Sequence, residues 1–232
     1  MISHCLGMPA LAGRCESADE FVAMLELGAS HLIADHLDYD VFGNTLAPGL
    51  WPHVRLLLLI RHPLDALISN FHKRYADDLL PDRSQPIKLN VQRFLRGEFD
   101  RVAIREAVRR TPLFATTYSE YLHRFALDWY RTGGVKVVRY EDLVANTCGE
   151  LSQVMEFLGT KVTTATIEEA VTLYSFERLS GGRSAGESDI MSHYRRGISG
   201  EWSTFLEDRD IEAAHERVGE IISALGYSLR RA

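Results

Sequence analysis

A chain of 232 residues, 46% hydrophobic and 25% charged, is long enough to bury a substantial core and reads as a single domain over residues 1–232. Its formal charge of -6 and pI of about 5.9 disfavour general nucleic-acid binding but leave room for a local basic pocket. The longest apolar run, Leu56 to Ile60, is far too short to cross a bilayer, and no basic stretch precedes the apolar N-terminal patch as a signal peptide requires.

Cys5, Cys15 and Cys148 are widely spread. They form neither a disulfide framework nor a metal-ligand cluster, which predicts reduced thiols in a cytoplasmic protein without a metal.

In chain order, Ser17 opens a capping-box pattern with Glu20, and Phe21, Met24 and Leu25 follow at helical spacing until Gly28. Residues 30–34 read as a short strand. The run from His53 to Ile60, closed by R61-H-P63, reads as a strand buried on both faces and therefore as part of a parallel sheet flanked by helices. Pro63 suits the first turn of the next helix, with Asp65 near its positive end and Leu64, Leu67, Ile68 and Phe71 as its apolar stripe.

Residues 82–86 read as a loop. Helices are predicted over 91–110 and from about Thr117 to Arg131, stopped by Gly133-Gly134. A second strand spans 135–140. Glu141-Asp142-Leu143 leads into one helix through Leu158, ended by Gly159; further helices run from Thr164 to Leu173 and from Asp208 to Leu225, and the Gly/Ser-rich stretch from Ser180 to Met191 is a loop. Strands alternating with helices give a layered α/β domain, although two strands alone make too small a sheet for this length.

Ligands of parallel α/β sheets gather beyond the carboxyl ends of the strands, where Arg61 stands. Ser69 lies eight residues on, two turns into the following helix. An arginine fork and a hydroxyl both suit an anion. The segment R61-H-P-L-D-A-L-I-S-N-F-H72 resembles the R-x-P-x-D-x-x-x-S segment of sulfotransferases that use 3′-phosphoadenosine 5′-phosphosulfate (PAPS) and leave adenosine 3′,5′-bisphosphate (PAP). The resemblance implies a three-layer, mostly parallel α/β sheet flanked by helices, related to P-loop nucleotide kinases. It also implies that Arg61 and Ser69 bind the cofactor's 3′-phosphate.

Y194-R-R-G-I-S-G-E-W-S-T-F205 is similar to the family's R-K-G-x-x-G-D-W segment, which implies 3′-phosphate contacts from Arg195, Arg196 and Gly197. Adjacent arginines on a flexible glycine backbone can converge several donors on one phosphate. V137-V-R-Y-E-D-L143 resembles the family's strand ending in Y-E-D-L, with Tyr140 and Glu141 at the strand-to-helix junction. Y174-S-F176 falls where the family has a T-S-F-like stretch beside the adenine, so Phe176 would stack on the base or pack in the core, and Ser175 would hydrogen-bond nearby.

Sulfuryl transfer needs a base for the acceptor and positive groups for charge developing on the bridging oxygen. His36, in A34-D-H-L-D-Y-D40, occupies the place of the family's upstream catalytic histidine, without the proline that follows it there. His31 and His53 are its local rivals. The family's opening P-K-S/A-G-T-T/N-W-like loop has no counterpart, and G7-M-P-A-L-A-G13 carries no lysine, serine or threonine.

The expectation is an N-terminally shortened domain without its first strand and 5′-phosphosulfate loop, with a homo-oligomer as the natural cover for an exposed sheet. Two functions remain open. One is sulfuryl transfer to a hydroxyl or amine of a small molecule, lipid or sugar; the other is a catalytically silent nucleotide-binding or assembly protein. Residues 75–90 and 180–191 are candidates to line an acceptor cleft, with Phe71, Tyr75 and Phe94 offering apolar surface.

Overall fold

The computed structural model describes residues 1–8, 10–12, 17–26, 32–34, 39–46, 53–74, 122–189, 192 and 194–231. Their elements are, in order, α1 (Ile2–Leu6), β1 (Ala10–Ala12), α2 (Ala18–Glu26), β2 (Leu32–Ala34), α3 (Tyr39–Phe42), β3 (Leu57–Ile60) and α4 (Pro63–Arg74). After a π-helical stretch (His123–Leu127) come α5 (Asp128–Arg131), β4 (Lys136–Arg139), α6 (Tyr140–Ala145), α7 (Thr147–Phe157) and α8 (Thr164–Leu173). The last are α9 (Phe176–Leu179), α10 (Trp202–Phe205) and α11 (Asp208–Ala224). The helices predicted over 91–110 and before residue 122 lie outside the described residues.

The chain divides into two compact units, one of residues 1–60 and 124–178, the other of residues 61–123 and 179–232. In the first, the described strands pair in parallel: β1 with β2, and β3 with β4 in a register that sets Leu57 against Lys136 and Ile60 against Arg139. Leu57 packs on a core of Cys5, Val138, Leu151, Val154, Met155, Ile167 and Ala170. Leu58 packs on another, built from Phe21, Phe42, Leu46 and Trp129. The two-residue alternation of a strand thus feeds apolar side chains to both faces.

The expectation of burial on both faces fails one residue later, where Leu59 is 63% exposed. It shares a face with Leu57 but is absent from the core on which Leu57 packs. β1 was not foreseen: three residues of Ala-Leu-Ala carry little strand propensity and owe their conformation to pairing with β2.

The single helix expected from Glu141 to Leu158 is two. Asn146 leaves helical geometry, and its side-chain oxygen accepts from the Gly149 N–H at 3.1 Å, so it ends α6 and caps α7.

In the second unit, Leu64, Leu67 and Ile68 form the buried stripe of α4, at spacings of three and four. α10 packs against α4. Ala214, Val218, Ile221 and Ile222 make the buried face of α11, whose start is fixed by reciprocal bonds between Glu207 and Asp210.

Gly159 ends α7 at φ +70°, with its N–H on the Glu156 carbonyl and that of Thr160 on Met155. Nothing lies within 4 Å of a Cβ placed there, so backbone strain alone penalises a side chain. Gly159→Ala will lower the unfolding free energy by about 1 kcal/mol, read from the midpoint of urea denaturation.

Candidate anion-binding site

Arg61 directly follows β3, and the three residues after it build a helix start. The His62 Nδ1 accepts from the Leu64 N–H at 3.3 Å, and Pro63 occupies the first helical position, where its missing N–H costs nothing. With Nδ1 accepting, Nε2 carries the proton and donates to the Ser228 carbonyl at 3.1 Å. The ring stacks on Trp202 at 4.7 Å between centroids and meets the edge of Tyr227 at 5.2 Å. The cap of α4 is thereby wedged between the two later segments of the same unit.

Asp65 completes the junction. It is 1% exposed, and its two oxygens accept from the N–H groups of Gly200 at 2.6 Å and Trp202 at 2.8 Å. Instead of merely favouring the helix dipole, this carboxylate joins the first sequence motif to the second. Arg61 adds a parallel tie, donating from Nη2 to the Ile198 carbonyl at 3.0 Å. Residues 61, 65 and 69 follow a four-residue spacing, so Ser69 lies one turn beyond Asp65 on the same side of α4. Ser69 is half-buried.

Between those ties runs the basic segment. Gly197 has φ +63°, a left-handed turn that a Cβ would strain, and it sets the direction of the chain after Arg196. Arg195 gives both terminal nitrogens to the two oxygens of Glu201, and Arg196 gives Nη1 to one of them at 3.0 Å and Nε to the Gly186 carbonyl at 3.1 Å.

Burial pushes the Glu201 carboxyl pKa up. Hydrogen bonds and charge from Arg195, then Arg196, outweigh it and hold the group below the ordinary carboxylate range. The Arg195 side chain is only 10% exposed, and its Nε is buried with no acceptor among the described residues. An unsatisfied buried donor on a cation fits an incoming anionic oxygen. The Arg196 side chain is 31% exposed and is the more open of the pair.

Arg61, Asp65, Ser69 and Arg195 to Gly197 therefore belong to one compact unit. Ser175 and Phe176 belong to the other, where the Ser175 Oγ accepts from the Arg178 N–H at 3.4 Å and caps α9. Tyr140 begins α6 directly after β4, as the junction reading expected. His36 lies outside the described residues. Among those described, no group of three or more His, Cys, Asp or Glu side chains could hold a metal ion, and no helix is long and apolar enough to cross a membrane. Sequence reasoning missed the bridging role of Asp65 and the counter-ion role of Glu201; their signal was their place inside the two motifs.

A family model described as a sulfotransferase domain matches residues 8–226. Among curated proteins the chain is similar to mouse sulfotransferase 6B1, 25% identical across 97% of this chain and 69% of the relative. It is also similar to human sulfotransferase 6B1, at 20% identity over 93% of this chain and 66% of the relative, and to dog sulfotransferase 1A1, at 24% over 87% and 65%. The chain thus spans about two thirds of the length of these relatives. Its fold resembles that of mouse sulfotransferase SULT7A1 complexed with PAP, with a TM-score of 0.63 at 15% identity over 97% of this chain and 80% of that one. Retinol dehydratase in a complex with retinol and PAP gives 0.56 at 19%, over 92% and 63%.

Two outcomes follow from the geometry. Asp65→Ala strands two backbone donors and will cost about 3 kcal/mol, with loss of hydrogen-exchange protection at the Gly200 and Trp202 amides. Glu201 is more acidic folded than unfolded, so its stabilisation is present above its unfolded pKa and lost as pH falls through the lower folded one. Thermal stability will drop with acid below about pH 4.3, the ordinary glutamate value, and Glu201→Gln will flatten that limb of the profile.

Proposed function

The chain belongs to the sulfotransferase family, and from that premise we propose that it moves a sulfuryl group from PAPS to a hydroxyl or amine of a small molecule, lipid or sugar, with His36 as base. The observation that supports this most strongly is the clasp between α4 and the 195–202 segment. It gathers Arg61, Ser69, Arg195, Arg196 and Gly197, all five residues assigned to the 3′-phosphate, into one unit.

Bound PAPS would supply the sulfuryl group, its sulfur–oxygen bond to the 5′-phosphate breaking as the acceptor atom bonds to sulfur. Arg61 and Arg196 bring charge to the 3′-phosphate, Arg195 adds its buried Nε, and Ser69 a hydroxyl. Ser175 accepts through its oxygen in capping α9 and so keeps its O–H as a donor, and Phe176 carries an aromatic face suited to stacking. His36 takes the acceptor's proton. The 5′-phosphosulfate side has no lysine-bearing glycine loop in this sequence, so cofactor affinity in this 232-residue chain rests on the 3′-phosphate side.

Calorimetric titration with PAP tests the binding, and transfer of radiolabelled sulfate from PAPS to phenols, alcohols and amines tests the chemistry. Arg61→Ala and Arg195→Ala will each weaken PAP binding on the order of a hundredfold, and His36→Ala will abolish transfer while leaving PAP binding intact. Unchanged PAP binding in both arginine variants overturns the site. Tight PAP binding without transfer to any acceptor favours a silent nucleotide-binding protein.

A further inference from the structure

The stretch from Ser180 to Met191 is a candidate acceptor loop by sequence, and its described residues, 180–189, gather around the Arg183 side chain. The Arg183 Nε donates to the Ser180 carbonyl at 3.3 Å, and Nη1 to the carbonyls of Glu187 at 3.3 Å and Arg195 at 2.9 Å. Nη2 donates to the Ser192 Oγ at 2.9 Å and the Tyr194 carbonyl at 2.6 Å. The loop backbone adds two bonds of its own, from the Gly186 N–H to the Arg196 carbonyl at 2.8 Å and from the Asp189 N–H to the Arg195 carbonyl at 3.2 Å. The consecutive carbonyls of Tyr194, Arg195 and Arg196 are thus all held from this loop. The Arg196 side chain closes the circuit by donating back to the Gly186 carbonyl at 3.1 Å.

All of these residues lie in the same compact unit as Arg61 and Asp65. The basic segment is consequently fixed from two sides. The α4 clasp holds its downstream end at residues 198–202, and Arg183 holds its upstream end at 194–196. Only a planar guanidinium offers five donors in a rigid fork; an ammonium has three on a flexible stem and cannot reach the same set of acceptors. Arg183 makes these bonds through its own donors to main-chain oxygens and one hydroxyl, so its effect on an anion passes through Arg195 and Arg196.

We propose that Arg183 is the positioning residue for 3′-phosphate recognition: it sets the backbone from which Arg195 and Arg196 reach the anion. This makes the 183–189 loop a part of the donor site. The inference rests on the cofactor reading above. It requires that losing Arg183 damages recognition of the 3′-phosphate and spares the rest of the nucleotide.

The test is calorimetric titration of the full chain with PAP and with adenosine 5′-monophosphate, which lacks the 3′-phosphate. Wild type prefers PAP. In Arg183→Ala the preference falls by about tenfold or more while affinity for the monophosphate holds. Arg183→Lys, which keeps the charge without the fork and is the milder change for folding, loses most of the same preference. If either variant keeps the wild-type preference, or loses both ligands in equal proportion, the positioning role is overturned. If wild type itself shows no preference for PAP, the cofactor reading falls first, and that outcome is separable because it requires no variant.

Discussion

The Asp65 carboxylate, buried and shared between the N–H groups of Gly200 and Trp202, is the contact on which the basic site depends. It lies in the first motif, 135 residues before the Gly200 of the second. The first supplies one arginine after a strand and one serine on a helix; the second supplies a basic loop. A charged acceptor buried in a low-dielectric interior must find donors, and backbone N–H groups are donors whose positions do not depend on rotamers. The residue between Gly200 and Trp202, Glu201, is buried and faces Arg195 and Arg196.

The arginine pair therefore sits in a balanced field. Two cations and one carboxylate leave a net positive charge, and Arg61 adds to it from the other motif. A buried ion pair contributes little net stability over an apolar replacement of similar shape, because desolvation consumes most of the Coulombic gain. What Glu201 supplies is orientation. It keeps two long side chains from collapsing outward into solvent, so less ordering is left for an incoming anion to impose. Arg183 does for the backbone what Glu201 does for the side chains.

Much of this was legible in the sequence, for reasons that differ by element. α8 runs from Thr164 to Leu173 as its periodicity and the threonine cap dictate, and the 3.6-residue stripe of α11 announced itself in the same way. Arg61, Ser69 and Arg195 to Gly197 could be singled out because each motif is local in sequence, and the structure gathers them into one compact unit. Asp65 was visible only as a residue near a helix start, since nothing local reveals that its acceptors' partners come from the far end of the chain. The 180–189 loop looked featureless because its order comes from Arg183 and from its own backbone bonding to main-chain carbonyls, and such acceptors leave no trace in composition. β1 escaped for a related reason, its three small residues being held by a neighbour and not by propensity. The split between α6 and α7 turned on whether one asparagine would cap or continue a helix, a choice settled by a few tenths to about 2 kcal/mol.

The central claim is that a 3′-phosphate is held by the unit that Asp65 clasps together. A crystal structure with adenosine 3′,5′-bisphosphate tests it most directly. The account predicts the 3′-phosphate oxygens within hydrogen-bonding distance of the Arg61 and Arg196 guanidiniums and the Ser69 hydroxyl, with both Asp65 bonds intact. A nucleotide bound with its 3′-phosphate away from these side chains would contradict it.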